Sequence, residues 1–255
     1  MKQKWALITG ASAGLGVCFA EYLAKDGYSL VLVARRRERM EELKKRLSCE
    51  CKIISADLSD MTEVERVFEE ISSLNLQMVV NNAGFGHCGP FLESDVQKEL
   101  NMIDVNVKAM HLVTKLALLH MCPQNSGYIL NVCSSAGLIP AGPYMATYYA
   151  TKAYATSLTR AVERELKEAK INIKISALCP GPVDTEFNSI ANCEFKLKGI
   201  TAEYCVKVAM KGLKKGKTTI VPTFTLRVGM VLGRLLPTKL YLNMVSHQQR
   251  KKIYG

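Results

Sequence analysis

Seven short runs of β-branched and apolar residues alternate along this chain with segments of helical period, and that alternation constrains the fold more than any other feature. A strand that leads through a helix into the next strand returns in the same direction, so repeated alternation builds a parallel sheet with helices on both faces. The predicted strands are residues 5–9, 29–33, 52–55, 76–80, 128–132, 173–178 and 218–221. Helical patterns lie between them at 14–26, 37–47, 61–71 (with Asp60 as N-cap), 94–120 and 147–170. A doubly wound α/β fold follows. With 48% hydrophobic residues, 255 residues suffice for one sizeable core. We therefore expect one domain over residues 1–222 and a helical extension, 223–255, packed on it.

Three stretches carry chemistry. The first connection reads Thr9-Gly10-Ala11-Ser12-Ala13-Gly14-Leu15-Gly16, directly after a strand and directly before a helix. Glycines there allow a tight turn and a close approach of backbone to a pyrophosphate, which sits where unpaired N–H groups and the helix dipole favour negative charge. Close helix–sheet packing is the competing explanation for the same glycines. The second stretch, Val33-Ala34-Arg35-Arg36-Arg37, ends the second strand. Sites for NAD hold a carboxylate there for the ribose 2′-hydroxyl, whereas arginine accommodates the 2′-phosphate of NADP. Ala34 stands where the acid would be, so the chain is expected to take NADP(H), with Arg35 as the leading contact and Ser12 as a hydroxyl partner. Part of the arginine run also serves as an exposed helix start. The third stretch, Tyr148-Tyr149-Ala150-Thr151-Lys152, sets a phenol and an ammonium one helical turn apart. A fixed positive charge favours the phenolate and makes a phenol usable as a proton donor near neutral pH. A buried aromatic beside a snorkelling lysine has the same spacing, so context decides.

Further marks supply that context: Asn81-Asn82-Ala83-Gly84 after the fourth strand, Asn106 in the next helix, Ser134-Ser135 after the fifth strand, and Pro180-Gly181-Pro182-Val183-Asp184-Thr185 after the sixth. In this order, with the glycine turn and the Tyr148/Lys152 pair, they resemble the single-domain short-chain dehydrogenase/reductase family over residues 4–222, and specifically its carbonyl, 3-oxoacyl and hydroxysteroid reductases. The resemblance implies a Rossmann-type sheet and a homodimer. It implies that Gly10, Gly14, Leu15 and Gly16 meet the cofactor phosphates, that Asp57 and Leu58 meet the adenine, and that Asn82, Ala83 and Gly84 line the floor. Lys152 would hold the nicotinamide ribose, while Pro180, Gly181, Val183 and Thr185 cradle the nicotinamide. Asn106 would bend its helix and anchor a water leading protons to Lys152. Tyr148 would act as the general acid toward a carbonyl oxygen, and a serine would stabilise the charge developing there.

Two serines compete for that last role. Counting back thirteen residues from Tyr148 gives Ser135, while counting forward through Asn131-Val132-Cys133 gives Ser134. An extra residue is absorbed more easily in the loop 138–147, with Pro140, Gly142 and Pro143, than in a strand whose side chains would all change faces. That favours Ser134 and leaves Ser135 as the alternative. Tyr144, Met145, Phe187 and Ile190 are candidates for an apolar substrate wall. Tyr149 is expected to point away, His87 to be solvated, and Cys133 and Cys179 to act as small buried packing.

Nine scattered cysteines without metal-ligand spacing, no apolar run of about eighteen residues and too short an apolar start for a leader predict a soluble, cytoplasmic protein. Of the formal net charge of +11, six come from residues 222–255, which hold Arg227, Arg234, Lys239, Arg250, Lys251 and Lys252 and no acid. No nucleic-acid module accompanies this charge, so nucleic acid is not an expected partner. The tail reads as a basic amphipathic helix broken at Pro237. It would dock on a membrane surface or a second subunit, or roof the substrate pocket. The expected activity is hydride transfer between NADPH and a hydrophobic ketone or secondary alcohol. The alternative is an NADP-binding regulatory or scaffold protein with little turnover, which a panel of ketones with NADPH would separate from it.

Overall fold

The first strand, β1 (Trp5–Thr9), buries all five of its residues, because successive side chains point to opposite faces and both faces are covered. Leu7 joins one apolar cluster and Ile8 another. The computed structural model describes residues 3–186, 199–233 and 236–250. Its further strands are β2 (Ser29–Ala34), β3 (Cys51–Ser55), β4 (Leu76–Asn81), β5 (Gly127–Val132), β6 (Ile173–Leu178) and β7 (Thr219–Ile220). All pair in parallel, in the order β3-β2-β1-β4-β5-β6-β7.

Helices α1 (Gly14–Lys25), α2 (Arg37–Arg46) and α7 (Ala202–Lys214) cover one face, where Phe19, Leu23, Met40 and Met210 meet Ile8, Leu32 and Val80. On the other face α3 (Met61–Glu70), α5 (Met110–Met121) and α6 (Ala146–Glu168) bring Val67, Val113 and Leu166 against Leu7, Val33 and Ile175. Each fully buried leucine or isoleucine contributes about 1.5–3 kcal/mol, so the two clusters dominate the stability. Asp60 caps α3 by accepting from the Thr62 N–H, as its sequence position predicts.

The strand boundaries follow the sequence expectation to within a residue, and two helical features differ from it. Residues 94–120 do not form one regular helix. A π-helical turn, Asp104–Ala109, separates α4 (Val96–Ile103) from α5 and contains the buried Asn106. Such a turn bends a helix, in line with the role expected of Asn106. Helix α7 was not anticipated. Its Thr201 cap accepts from the Tyr204 N–H, and its Cys205, Val206, Ala209 and Leu213 are buried. The basic tail forms two helices, α8 (Phe224–Gly233) and α9 (Thr238–Arg250), separated around Pro237.

Strand order reverses beside β1, because the chain moves outward to β2 and β3 and then crosses back to β4. The carboxyl ends of β1 and β4 therefore open a crevice at this point, the usual ligand position in such sheets.

Candidate active site

A cavity of about 1080 Å³ opens at those carboxyl ends. Thr9, the last residue of β1, organises its floor. Its Oγ1 accepts the backbone N–H groups of Asn82 and Ala83, both at 2.9 Å, and the Asn82 amide donates to the Thr9 carbonyl at 3.0 Å. These bonds hold Asn82, Ala83 and Gly84 in the cavity wall. In the turn above, Gly10 has φ +65, a left-handed conformation that favours glycine. A Cβ on Gly16 would stand 2.2 Å from the Gly10 carbonyl oxygen. Gly16 thus lets α1 approach the turn and does not itself line the cavity. Gly10, Ser12, Gly14 and Leu15 do line it. No side chain caps the N-terminus of α1 at Ala13, and its first residues Gly14 and Leu15 line the cavity, where a helix N-terminus favours an anion. This cradle fits a dinucleotide pyrophosphate.

At the end of β2 the arginines divide their work. Arg36 donates to the Ser12 hydroxyl from Nη2 at 3.2 Å, while Arg35 lies 3.8 Å from the Asp57 carboxylate. Glu186 engages Arg39 at 2.8 Å and approaches Arg36 at 3.9 Å. Ala34, Arg35, Arg36, Asp57 and Leu58 all border the cavity. Arg36 was missed as a partner of Ser12, since three consecutive arginines look alike until the start of α2 orients each one.

Helix α6 presents Tyr148 and Lys152 from one buried face. The Lys152 ammonium donates to the Val132 carbonyl at 3.0 Å and lies 5.9 Å from the centre of the Tyr148 ring. Burial pushes Lys152 below its ordinary value of 10.5, and the neighbouring Cys133 and Cys179 thiols oppose that shift. Both cysteines are buried, in keeping with packing. Asn106 is 1% exposed. Its Oδ1 accepts from the Phe85 N–H at 3.1 Å, and its Nδ2 donates to the Phe85 carbonyl at 2.9 Å and to the Thr151 hydroxyl at 3.1 Å. It ties the loop after β4 to α6 from behind Gly84, where a Cβ would meet Asn106 Oδ1 at 2.8 Å. Asn106 thus lies outside the cavity wall and holds the loop after β4 and α6 together from behind it.

Ser134 and Ser135 both line the cavity. The Ser134 Oγ accepts from the Ala136 N–H at 3.1 Å, and the Ser135 N–H donates to the Pro180 carbonyl at 2.8 Å. That second bond seats Pro180, Gly181 and Val183 beside β5, and Thr185 closes the same wall.

Of the expected apolar wall, Met145 lines the cavity, Tyr144 does not, and Phe187 and Ile190 lie outside the described residues. Tyr149 does not point away. It borders the cavity with its ring in T-shaped contact with Tyr148, centroids 6.3 Å apart. His87 is half-buried rather than solvated, and burial lowers its pKa, with Lys98 adding to the shift. Phe85, Leu226 and Gln249 complete the wall. None of these was foreseen as a site residue, and no local sequence signal marks Gln249.

The short chain dehydrogenase family matches residues 4–194. A very-long-chain 3-oxoacyl-CoA reductase-B of Danio rerio is 32% identical over 247 residues, covering 93% of this chain and 77% of that protein. An uncharacterized oxidoreductase of Staphylococcus epidermidis is 34% identical over 187 residues, covering 72% of this chain and 80% of that protein. A short-chain dehydrogenase from Sphingobium yanoikuyae in complex with NADPH superposes with a TM-score of 0.81 at 25% identity, over 91% of this chain and 93% of that one. A member from Burkholderia phymatum in complex with NAD shares the fold, with a TM-score of 0.82 at 23% identity over 92% and 94% of the two chains. With a turn, a Tyr/Lys pair and a serine loop converging on one crevice, and a family match over most of its length, the chain belongs to the short chain dehydrogenase family.

Proposed function

We propose that the protein is an NADPH-dependent carbonyl reductase, acting on hydrophobic ketones of the 3-oxoacyl or steroid-like class, with Tyr148 as its proton donor. Family membership makes it an oxidoreductase working between ketones and secondary alcohols with a nicotinamide cofactor. The observation that carries the choice of NADP(H) is the pair of guanidiniums at the end of β2, Arg36 on the Ser12 hydroxyl and Arg35 beside it in the cavity wall, with no carboxylate at position 34. The NADPH of the Sphingobium relative supports the same reading. The large, mainly apolar substrate end, with Phe85, Ile139, Met145 and Leu226, supports a bulky ketone, as does the 3-oxoacyl-CoA named for the Danio relative.

In this reading Gly10, Gly14 and Leu15 hold the pyrophosphate, and Ser12, Arg35 and Arg36 the 2′-phosphate. Asp57 and Leu58 flank the adenine, Asn82 to Gly84 form the floor, and Lys152, Pro180, Gly181, Val183 and Thr185 hold the nicotinamide end. The bound cofactor supplies the hydride. Tyr148 gives its proton to the carbonyl oxygen, and the Lys152 ammonium favours the phenolate left behind. Ser134 already accepts the Ala136 N–H, so its own proton is the one to donate to the same carbonyl oxygen. Ser135 is held through its backbone instead. Asn106 keeps α6 in register with the loop after β4. The test is oxidation of NADPH and NADH with a panel of ketones. Turnover of bulky ketones with preference for NADPH is expected. Cofactor binding without turnover of any ketone would leave only the regulatory or scaffold reading.

In the same proposal residues 1–222 form the catalytic unit, and the extension 223–255 both roofs the site and touches a membrane surface peripherally. Leu226 and Gln249 face the cavity, while Phe224, Val228, Leu232, Leu240 and Met244 are exposed at four-residue spacing within α8 and α9. Among the described residues no helix is long and apolar enough to cross a membrane. Salt-sensitive sedimentation with anionic but not neutral vesicles, lost on deletion of 223–255, is expected. Absence of binding would refute the contact. A homodimer, expected from the family and checked by sedimentation equilibrium, and a reducing, cytoplasmic setting belong to the same reading.

A further inference from the structure

The wall that α9 adds to the cavity contains a polar group that the described residues leave unsatisfied. Gln249 is 3% exposed and lies a hundred residues along the chain from its partner, the Tyr149 hydroxyl, to which its Nε2 donates at 2.6 Å. Its Oε1 is buried without a hydrogen-bond partner among the described residues, and the side chain borders the cavity. A buried amide normally uses both ends, and an end left over next to a cavity marks a place where a ligand group completes it. Asn101 repeats the pattern from a different element. It borders the same cavity from α4, and its Oδ1 is also buried without a partner among the described residues. Lys98 and Gln248 also border the cavity and the rest of this end is mostly apolar, but Asn101 and Gln249 are the lining side chains with a buried oxygen left over, so they can choose between substrates of similar shape.

The placement near the reacting group is fixed by contacts. Gln249 holds the Tyr149 hydroxyl, the Tyr149 ring stands edge-on to Tyr148, and Gly142 packs so closely on the Tyr149 ring that a Cβ there would fall 2.3 Å from it. The amide is thereby set against a ring that cannot shift toward 142, at a constant offset from the phenol that meets the carbonyl.

We propose that Gln249 is a specificity-determining residue, and that the preferred ketone carries a hydroxyl group that hydrogen-bonds to its amide. A hydroxyl both donates and accepts, so it completes the amide whichever end faces the cavity. The discrimination arises because a ketone without the hydroxyl strands a buried polar atom, the situation in which protein sites reject analogues most strongly. This inference rests on the carbonyl-reductase reading of the site.

The experiment measures kcat/KM with NADPH for a saturated ketosteroid and for derivatives of it carrying one hydroxyl at different ring positions, in wild type, Gln249→Met and Tyr149→Phe. Wild type is expected to prefer at least one hydroxylated ketone over the parent by about tenfold or more. Gln249→Met should reduce that ratio to within about threefold, while Tyr149→Phe, which keeps the amide but removes the bond that holds it, should reduce it less. If both variants slow all the ketones alike and leave the ratios unchanged, Gln249 is only a strut for Tyr149 and the proposal fails. It fails equally if wild type turns over all the ketones without preference, since solvent then satisfies the amide. If no ketone is turned over by wild type, the reductase reading falls and this assignment with it, an outcome distinct from the other two.

Discussion

Replacing the residues at the end of β2 should convert the cofactor preference. The perturbation is Ala34→Asp combined with Arg35→Ala and Arg36→Ala. A hydrogen bond to a charged group contributes about 1.5–3 kcal/mol. The side chains of Arg35 and Arg36 are 68% and 43% exposed, so solvent screening puts each at the low end of that range, about tenfold in affinity. Ala34 is only 7% exposed, and a carboxylate there would repel a 2′-phosphate and accept from a 2′-hydroxyl, contributing a further factor of about ten. Together the ratio of kcat/KM for NADPH over NADH should fall about a thousandfold, measured from initial rates with one ketone. Of the single changes, Arg36→Ala should cost more than Arg35→Ala, because Arg36 reaches Ser12 whereas Arg35 is drawn toward Asp57. Equal losses for both cofactors would refute the reasoning, since these residues would then not discriminate at the 2′ position.

Three further outcomes follow from the geometry. Gly16→Ala should abolish cofactor binding, measured by fluorescence titration, because the new Cβ meets the Gly10 backbone at 2.2 Å and backbone cannot rotate away. Asn106→Ala should lower stability to urea by about 1–3 kcal/mol, since it leaves the half-buried Phe85 N–H and carbonyl without their side-chain partner. For Lys152 the sign is fixed by its depressed pKa. The unfolded chain binds the proton more tightly, so wild-type stability relative to Lys152→Met should rise with pH through the window between the folded value and 10.5, in urea unfolding at several alkaline pH values. Over the same window activity should fall as the ammonium that favours the phenolate is lost.

The features legible in the sequence are those whose cause is local. Continuous apolar runs such as Leu30–Ala34 mark strands buried on both faces, and Gly10, Tyr148 and Lys152 carry their chemistry in spacings of a few residues. Helix α7 has a local signal in Thr201 and the apolar positions 205, 206, 209 and 213, but that signal is weaker than the motifs on either side of it. The roles of Arg36 and Gln249 were not legible at all. One depends on how α2 leaves the sheet, and the other on a contact between residues a hundred positions apart. Asn106 was recognised by its setting, but only the structure distinguishes a residue that positions Phe85 and Thr151 from one that lines the wall.

The central claim is that Tyr148 delivers the proton while the rest of the site binds NADPH without its help. The direct measurement is Tyr148→Phe, followed by single-turnover oxidation of NADPH with a bulky ketone and by NADPH titration of the same sample. The account predicts hydride transfer slowed by about a thousandfold, within the range for loss of a general acid, with NADPH affinity within about threefold of wild type. Wild-type turnover in Tyr148→Phe would contradict it.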